Sequence, residues 1–395
     1  MTHLMNTYNR LPVAFTHGRG AWLTDEQGRE YLDALAGIAV NGLGHAHPKL
    51  VAALTEQIGR LIHTSNIYTI REQEALADRL CELSGLQEVF FGNSGSEANE
   101  GALKLVRLYG HKNGEPAAQT IVMERAWHGR TLATLAATGS EKARKGFDPL
   151  PSGFIRVPYN DLAAVERAAA ADPRVRAVWL EVLQGEGGIQ VADLDYVRGL
   201  RKLCDERGWL LMIDEVQSGI GRTGKWFAHQ WAGIRPDVIT LAKGLGSGVP
   251  IGALLAGGRA AGVFGPGQHG TTFGGGPLAM RAGVETLAII EAEGLMANAV
   301  TQGERLRAGL KRELAGVPGV KDVRGLGLMC GVELDRPCSE LVKQALAAGL
   351  LINVTQDTVI RLLPPLIVSA AETDQIVTRL APVIRAFLSP AARAA

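Results

Sequence analysis

From about residue 85 onward, short unbroken apolar runs alternate with segments whose apolar residues recur at helical spacing, and few architectures accept that pattern. Glu88-Val89-Phe90-Phe91 reads as a strand, followed by a Gly/Ser turn and a helix over residues 98–109. Residues 120–123 form a second strand. A helix over 160–171, capped by Asn160 or Asp161, leads into the strand 177–181. The helix 194–207 stops at Gly208 and hands over to the run Trp209-Leu210-Leu211-Met212-Ile213. Residues 238–242 and 251–256 add two more strands. Strands that are apolar at every position are buried on both faces. The pattern therefore predicts an α/β fold with a mostly parallel sheet covered by helices.

The two ends of the chain look different. A hairpin is expected over 20–35 with Gly28 in its turn, and Pro48 opens a helix running to about Leu61. A long helix over about 277–293 is followed by another helix and by strands near 324–334, 350–354 and 359–363. The expected division is a large α/β domain at 60–285 and a small α+β domain assembled from 1–59 and 286–395.

Composition narrows the function classes. With 46% hydrophobic residues, 21% charged residues and a net charge of +1, the chain has ample core and no electrostatic case for nucleic acid. No run approaches a membrane span, and the N-terminus lacks a basic region followed by an apolar one. The four cysteines (Cys81, Cys204, Cys330 and Cys338) form no CxxC pair, so a reducing, cytoplasmic location is expected and no metal site.

Two of the buried runs end in charge. Lys243 follows Val238-Ile239-Thr240-Leu241-Ala242, and Asp214 follows the run ending at Ile213. Burial disfavours a charged lysine, which leaves a neutral amine able to attack an aldehyde. The interval between the two is long enough for one crossover, which brings both to one cleft at the carboxyl ends of parallel strands. An amine for an aldehyde and a carboxylate for a protonated ring nitrogen fit pyridoxal phosphate. Asn93-Ser94-Gly95-Ser96-Glu97-Ala98-Asn99-Glu100, opening a helix after a strand, suits a phosphate, although an ordinary serine cap explains the same residues.

An ordered set of motifs extends this reading over essentially the whole chain. It includes Gly44-His45-Ala46-His47-Pro48, the Asn93–Glu100 loop, His128-Gly129-Arg130-Thr131, Gln184-Gly185-Glu186-Gly187-Gly188, Asp214-Glu215-Val216-Gln217, Leu241-Ala242-Lys243-Gly244, His269-Gly270-Thr271-Thr272-Phe273-Gly274-Gly275 and Arg361-Leu362-Leu363-Pro364-Pro365. In these the chain resembles the class III pyridoxal-phosphate aminotransferases of fold type I. The resemblance implies that Lys243 and Asp214 are catalytic. It also implies that Gly95, Ser96, Trp127, Glu215, Val216, Gln217 and Thr272 join those two around the cofactor. Trp127 stands where the family usually has Phe or Tyr. Thr272 would reach the phosphate of a neighbouring subunit, making a homodimer with shared sites.

On the substrate side the resemblance implies Arg130, Thr271, Glu186 and Arg361. Arg361 would bind the α-carboxylate of glutamate or 2-oxoglutarate, Arg130 the far carboxylate, and Glu186 would mask Arg361 when a terminal amine binds. Ile38 replaces a tyrosine that holds the free α-amino group of ornithine in related enzymes. The implied donor is therefore acylated: N2-acetylornithine in arginine biosynthesis, or else succinylornithine or an N-succinylated diaminopimelate precursor. A pyridoxal-phosphate aminomutase, an isomerase sharing the fold and the lysine, is the alternative of a different class.

Overall fold

The computed structural model describes residues 3–389; Met1, Thr2 and residues 390–395, which fall at the ends of the expected small domain, lie outside it. A seven-stranded sheet forms the centre. Its order is Glu88–Gly92, Gly252–Ala256, Val238–Leu241, Leu210–Asp214, Val175–Leu180, Gln119–Met123 and Phe154–Val157. The strands from Val238–Leu241 across to Phe154–Val157 run parallel. Gly252–Ala256 is antiparallel to both of its neighbours. The reason is connection length: residues 242–251 are fewer than the dozen or so that a parallel crossover takes.

Burial on both faces explains the unbroken apolar runs. Ile121, Val178, Leu180, Leu211 and Ile213 pack on one face against the helices Leu162–Ala171 and Leu194–Arg207. The intervening Val122, Ala177, Trp179, Leu210 and Met212 pack on the other face with the helix Gly95–Lys112. Asp161, not Asn160, caps its helix, its side chain accepting from Ala164 N. The edge strand Phe154–Val157 is unexpected from the sequence because it is short, carries Arg156 and is only half-buried over most of its length.

The termini meet in two smaller sheets. Phe15–Arg19, Trp22–Asp25 and Glu30–Asp33 form a meander, and Leu350–Leu351 from the far end of the chain joins it in parallel. Val320–Leu326, Met329–Leu334, Val359–Leu362 and Asn353–Thr355 form the other sheet. One continuous apolar cluster nevertheless runs through Leu32, Leu76, Ile251, Leu287, Leu306 and Ile360. We retain the division at about 60 and 285 as a proposal, with a shared core between its two parts. No described helix is long and apolar enough to cross a membrane.

Candidate active site

Three adjacent parallel strands deliver their C-terminal residues to one cleft of about 380 Å³. Asp214 ends Leu210–Asp214, Glu181 follows Val175–Leu180, and Lys243 comes two residues after the end of Val238–Leu241. All three line the cleft, along with Gly95, Ser96, Asn99, Trp127, His128, Glu186, Val216 and Gln217.

Asp214 is 4% exposed and accepts three hydrogen bonds. Val216 N donates to Oδ1 (3.0 Å) and Asn99 Nδ2 to Oδ2 (2.9 Å). His128 Nδ1 lies 2.8 Å from Oδ2, and since a carboxylate only accepts, Nδ1 carries the proton. The imidazole stacks on buried Trp179 with ring centroids 3.7 Å apart. Asn99 Nδ2 also donates to the His128 carbonyl (2.7 Å), which ties helix, loop and strand to one carboxylate. Asn99 Oδ1 and His128 Nε2 are buried with no partner among the described residues, an arrangement that suits a bound group or water.

Lys243 opens a 3-10 turn with φ +42°, a left-handed conformation uncommon outside glycine. Burial lowers its pKa; the charge of Arg361 adds to that, while Glu186, Asp214 and Glu181 pull the other way. A second strained segment packs against it. Ala36, Gly37, Ile38 and Ala39 all have φ between +50° and +66°, a left-handed turn that costs about 1–2 kcal/mol for each side-chain-bearing residue. It packs Ile38 among Leu183, Ile189, Met329 and Leu363 and sets Val40 on the cleft wall. Persistent strain of this kind marks a place the surrounding fold over-determines.

The anion cradle is at the start of helix Gly95–Lys112. Ser94 is its N-cap: Oγ accepts from Glu97 N (3.2 Å) and lies 3.1 Å from Glu97 Oε2, so its hydroxyl is engaged in capping. The N–H groups of Gly95 and Ser96 have no intrahelical acceptor. Gly95 has no substitute here, because a Cβ would fall 2.8 Å from Val216 Cγ1.

On the opposite side Arg361 is fully buried in Val359–Leu362. Nε donates to Asn353 Oδ1 (3.0 Å), and Nη1 donates to Glu186 Oε1 (2.7 Å) and Gln217 Oε1 (3.3 Å). Nη2 is buried without a partner among the described residues. Glu186 is partly exposed, so the pair can open without moving the strand. Gly185 allows the approach; a Cβ there would meet Gln217 Oε1 at 2.3 Å.

Five residues expected at the site lie off the cleft wall: Arg361, buried behind Glu186, and four others. Glu215 is turned away from it: its carboxylate accepts from Ala228 N (3.0 Å), His229 N (2.9 Å) and Ser218 Oγ (2.6 Å), anchoring the loop after Asp214. Arg130 is exposed, its guanidinium 4.8 Å above the Trp127 ring. Thr271 lines a separate cleft with Asn66, Gln73 and His269. Thr272 is exposed on the surface of the single chain. Asn99, His128 and Glu181 were missed. Glu181 carries the same mark as Asp214, an apolar run ending in a charge, and His128 sits inside a motif already singled out.

The geometry is matched by sequence comparison. The model of the class III aminotransferase family matches residues 4–384. The chain belongs to the class III aminotransferases. It is 68% identical to acetylornithine aminotransferase 1 of Bordetella bronchiseptica, covering 98% of both chains. Among solved structures, ornithine aminotransferase from Toxoplasma gondii superposes with a TM-score of 0.93 at 34% identity, covering 97% of this chain and 93% of that one. N-acetylornithine aminotransferase from Stenotrophomonas maltophilia gives 0.84 at 37%, covering 96% and 98%. As a member of this family the chain is a transaminase of fold type I.

Proposed function

We propose that this aminotransferase moves the δ-amine of N2-acetylornithine to 2-oxoglutarate, in the cytoplasm and in the service of arginine biosynthesis. The observation that carries this reading is buried Arg361 paired with Glu186, which lines the cleft holding Lys243 and Asp214. A keto acid brings an α-carboxylate that competes with Glu186 for Arg361, whose Nη2 still lacks a partner. A donor presenting a terminal amine has nothing for Arg361, and Glu186 keeps that charge masked. Half-buried Ile38 offers the donor no hydroxyl, in keeping with an acylated α-amine.

The cleft fits pyridoxal phosphate on its own chemistry: free helix N–H groups, a buried carboxylate, and a desolvated lysine. Bound there, the cofactor supplies an aldehyde and an electron-withdrawing ring. Gly95 and Ser96 would hold the phosphate, Trp127 and Val216 the ring faces, Asp214 the ring nitrogen and Gln217 the ring hydroxyl. Asn99 and His128 fix Asp214 Oδ2 from two sides, so its charge points at one place. Lys243 Nζ would hold the aldehyde carbon and, once displaced, carry a proton between two carbons. Arg130, stacked on Trp127, would meet the carboxylate far from the reacting amine.

Losing Arg361 should divide the reaction in two. Arg361→Ala is expected to lower kcat/KM for the glutamate/2-oxoglutarate half-reaction about ten- to hundred-fold, the usual value of a charged hydrogen-bonded contact. The acetylornithine half-reaction should lose much less, whereas Arg130→Ala should damage both. Single-turnover absorbance of the bound cofactor follows each half separately. Equal losses for Arg361→Ala would overturn the gate, and turnover without any keto acid would overturn transamination.

We further propose a homodimer in which Thr272 completes the site of a second copy. Thr272 and Phe273 are exposed beside Ile67, which is 80% exposed, while Asn66 Nδ2 binds the Thr271 carbonyl (3.3 Å). That patch is apolar enough to need a cover. Mixing Lys243→Ala with Thr272→Ala under subunit exchange should restore activity above either parent. Proven exchange with no recovery counts against a shared site.

A further inference from the structure

Glu181 has no part in the reading above, yet it is 5% exposed and sits on the cleft wall. Leu180 pairs with Ile213 in the parallel ladder, so Glu181 and Asp214 follow side by side on neighbouring strands. Two buried carboxylates at adjacent positions are costly unless hydrogen bonds compensate. Glu181 finds them in two different segments. Oε1 accepts from Trp127 N (2.8 Å) and Oε2 from Gly185 N (3.1 Å). The first segment carries the aromatic wall and Arg130 stacked on it. The second leads directly into Glu186. Burial and the charge of Asp214 push the Glu181 carboxyl up to about 8, with the two N–H groups and Lys243 opposing.

We propose that Glu181 is a positioning residue that holds the Trp127–Arg130 wall and the Glu186 gate with one side chain, so that the two carboxylate-binding sides of the cleft keep a fixed spacing. This rests on the aminotransferase reading and deepens it: the spacing between Arg130 and the gate is what measures a five-carbon dicarboxylate. Nothing else described here bonds to both segments through one group.

The test is binding of glutarate, an unreactive five-carbon dicarboxylate, to the holoenzyme, read from the absorbance of the bound cofactor. Glu181→Gln keeps size but offers one acceptor oxygen, and its NH2 faces a peptide N–H. Its glutarate Kd should rise about ten-fold, as should KM for 2-oxoglutarate, with kcat changed much less. Glu181→Asp, which keeps the carboxyl group but is too short to span both N–H groups, should weaken glutarate as well, and serves if the glutamine variant does not fold. Combined with Glu186→Gln, the Glu181→Gln effect should be less than additive. A wild-type enzyme that ignores glutarate defeats the reading of 2-oxoglutarate as the amine acceptor. A wild type that binds glutarate and variants that bind it equally well, or lose only melting temperature, defeat the role of Glu181.

Discussion

Lys243→Ala is expected to abolish turnover while leaving a folded chain that still takes up pyridoxal phosphate. The lysine stands at φ +42° in a half-buried turn, and burial and Arg361 disfavour its charge more than Glu186, Asp214 and Glu181 favour it, so the fold does not depend on its ammonium. Alanine meets the same backbone conformation and removes a desolvated amine, so the melting temperature should hold. The cradle at Gly95 and Ser96, the Trp127 wall and Asp214 are untouched. In the role proposed for it, the chemistry would suffer twice, because one amine would serve as both nucleophile and proton carrier. Loss of a positioned acid–base group alone typically costs about 10²–10⁴ in rate, and loss of the nucleophile adds to it. Borohydride reduction of the wild-type holoenzyme followed by peptide mass spectrometry locates the attachment point. Cofactor on any lysine other than Lys243 sinks the assignment.

Asp214→Asn is the second large effect. Asparagine preserves shape, and its oxygen can still accept from Val216 N. Its NH2 would then face Asn99 Nδ2 and the protonated Nδ1 of His128, three donors with no acceptor among them. One relief is for His128 to change tautomer, moving its proton to Nε2, which has no partner among the described residues. In the role proposed for Asp214, the mutation would remove the negative charge facing the ring nitrogen and also disturb the network that aims it. Removing one preorganised electrostatic contact commonly costs about 10²–10³ in kcat, and this case should reach the upper end or exceed it. A purified variant with near-normal kcat would take Asp214 out of this role. His128→Gln, whose amide can still donate to Oδ2, should be far milder.

Much of this site was legible before any coordinates. Apolar runs ending in Asp214 and Lys243 are a local signal, because a buried strand admits a charge only at its mouth and only for a purpose. Asp161 capping its helix and Gly208 closing another are equally local, set by the last backbone groups a helix leaves unpaired. The antiparallel strand Gly252–Ala256 could have been read from its short connection. Glu215 could not be placed, since membership in a motif says nothing about direction, and only the turn at Ala228 and His229 shows what its carboxylate binds.

Sequence alone determined most of the sheet, Asp214 and Lys243 at its carboxyl edge and the chemistry those two can perform, because these follow from burial period and side-chain type within a few neighbours. Tertiary structure decided which of them meet. Arg361 and Glu186 are 175 residues apart, Asp214 and Asn99 are 115 apart, and Glu181 reaches back 54 residues to Trp127. A hydrogen bond needs its two atoms within about 3 Å, and over such separations only the packed sheet brings them there.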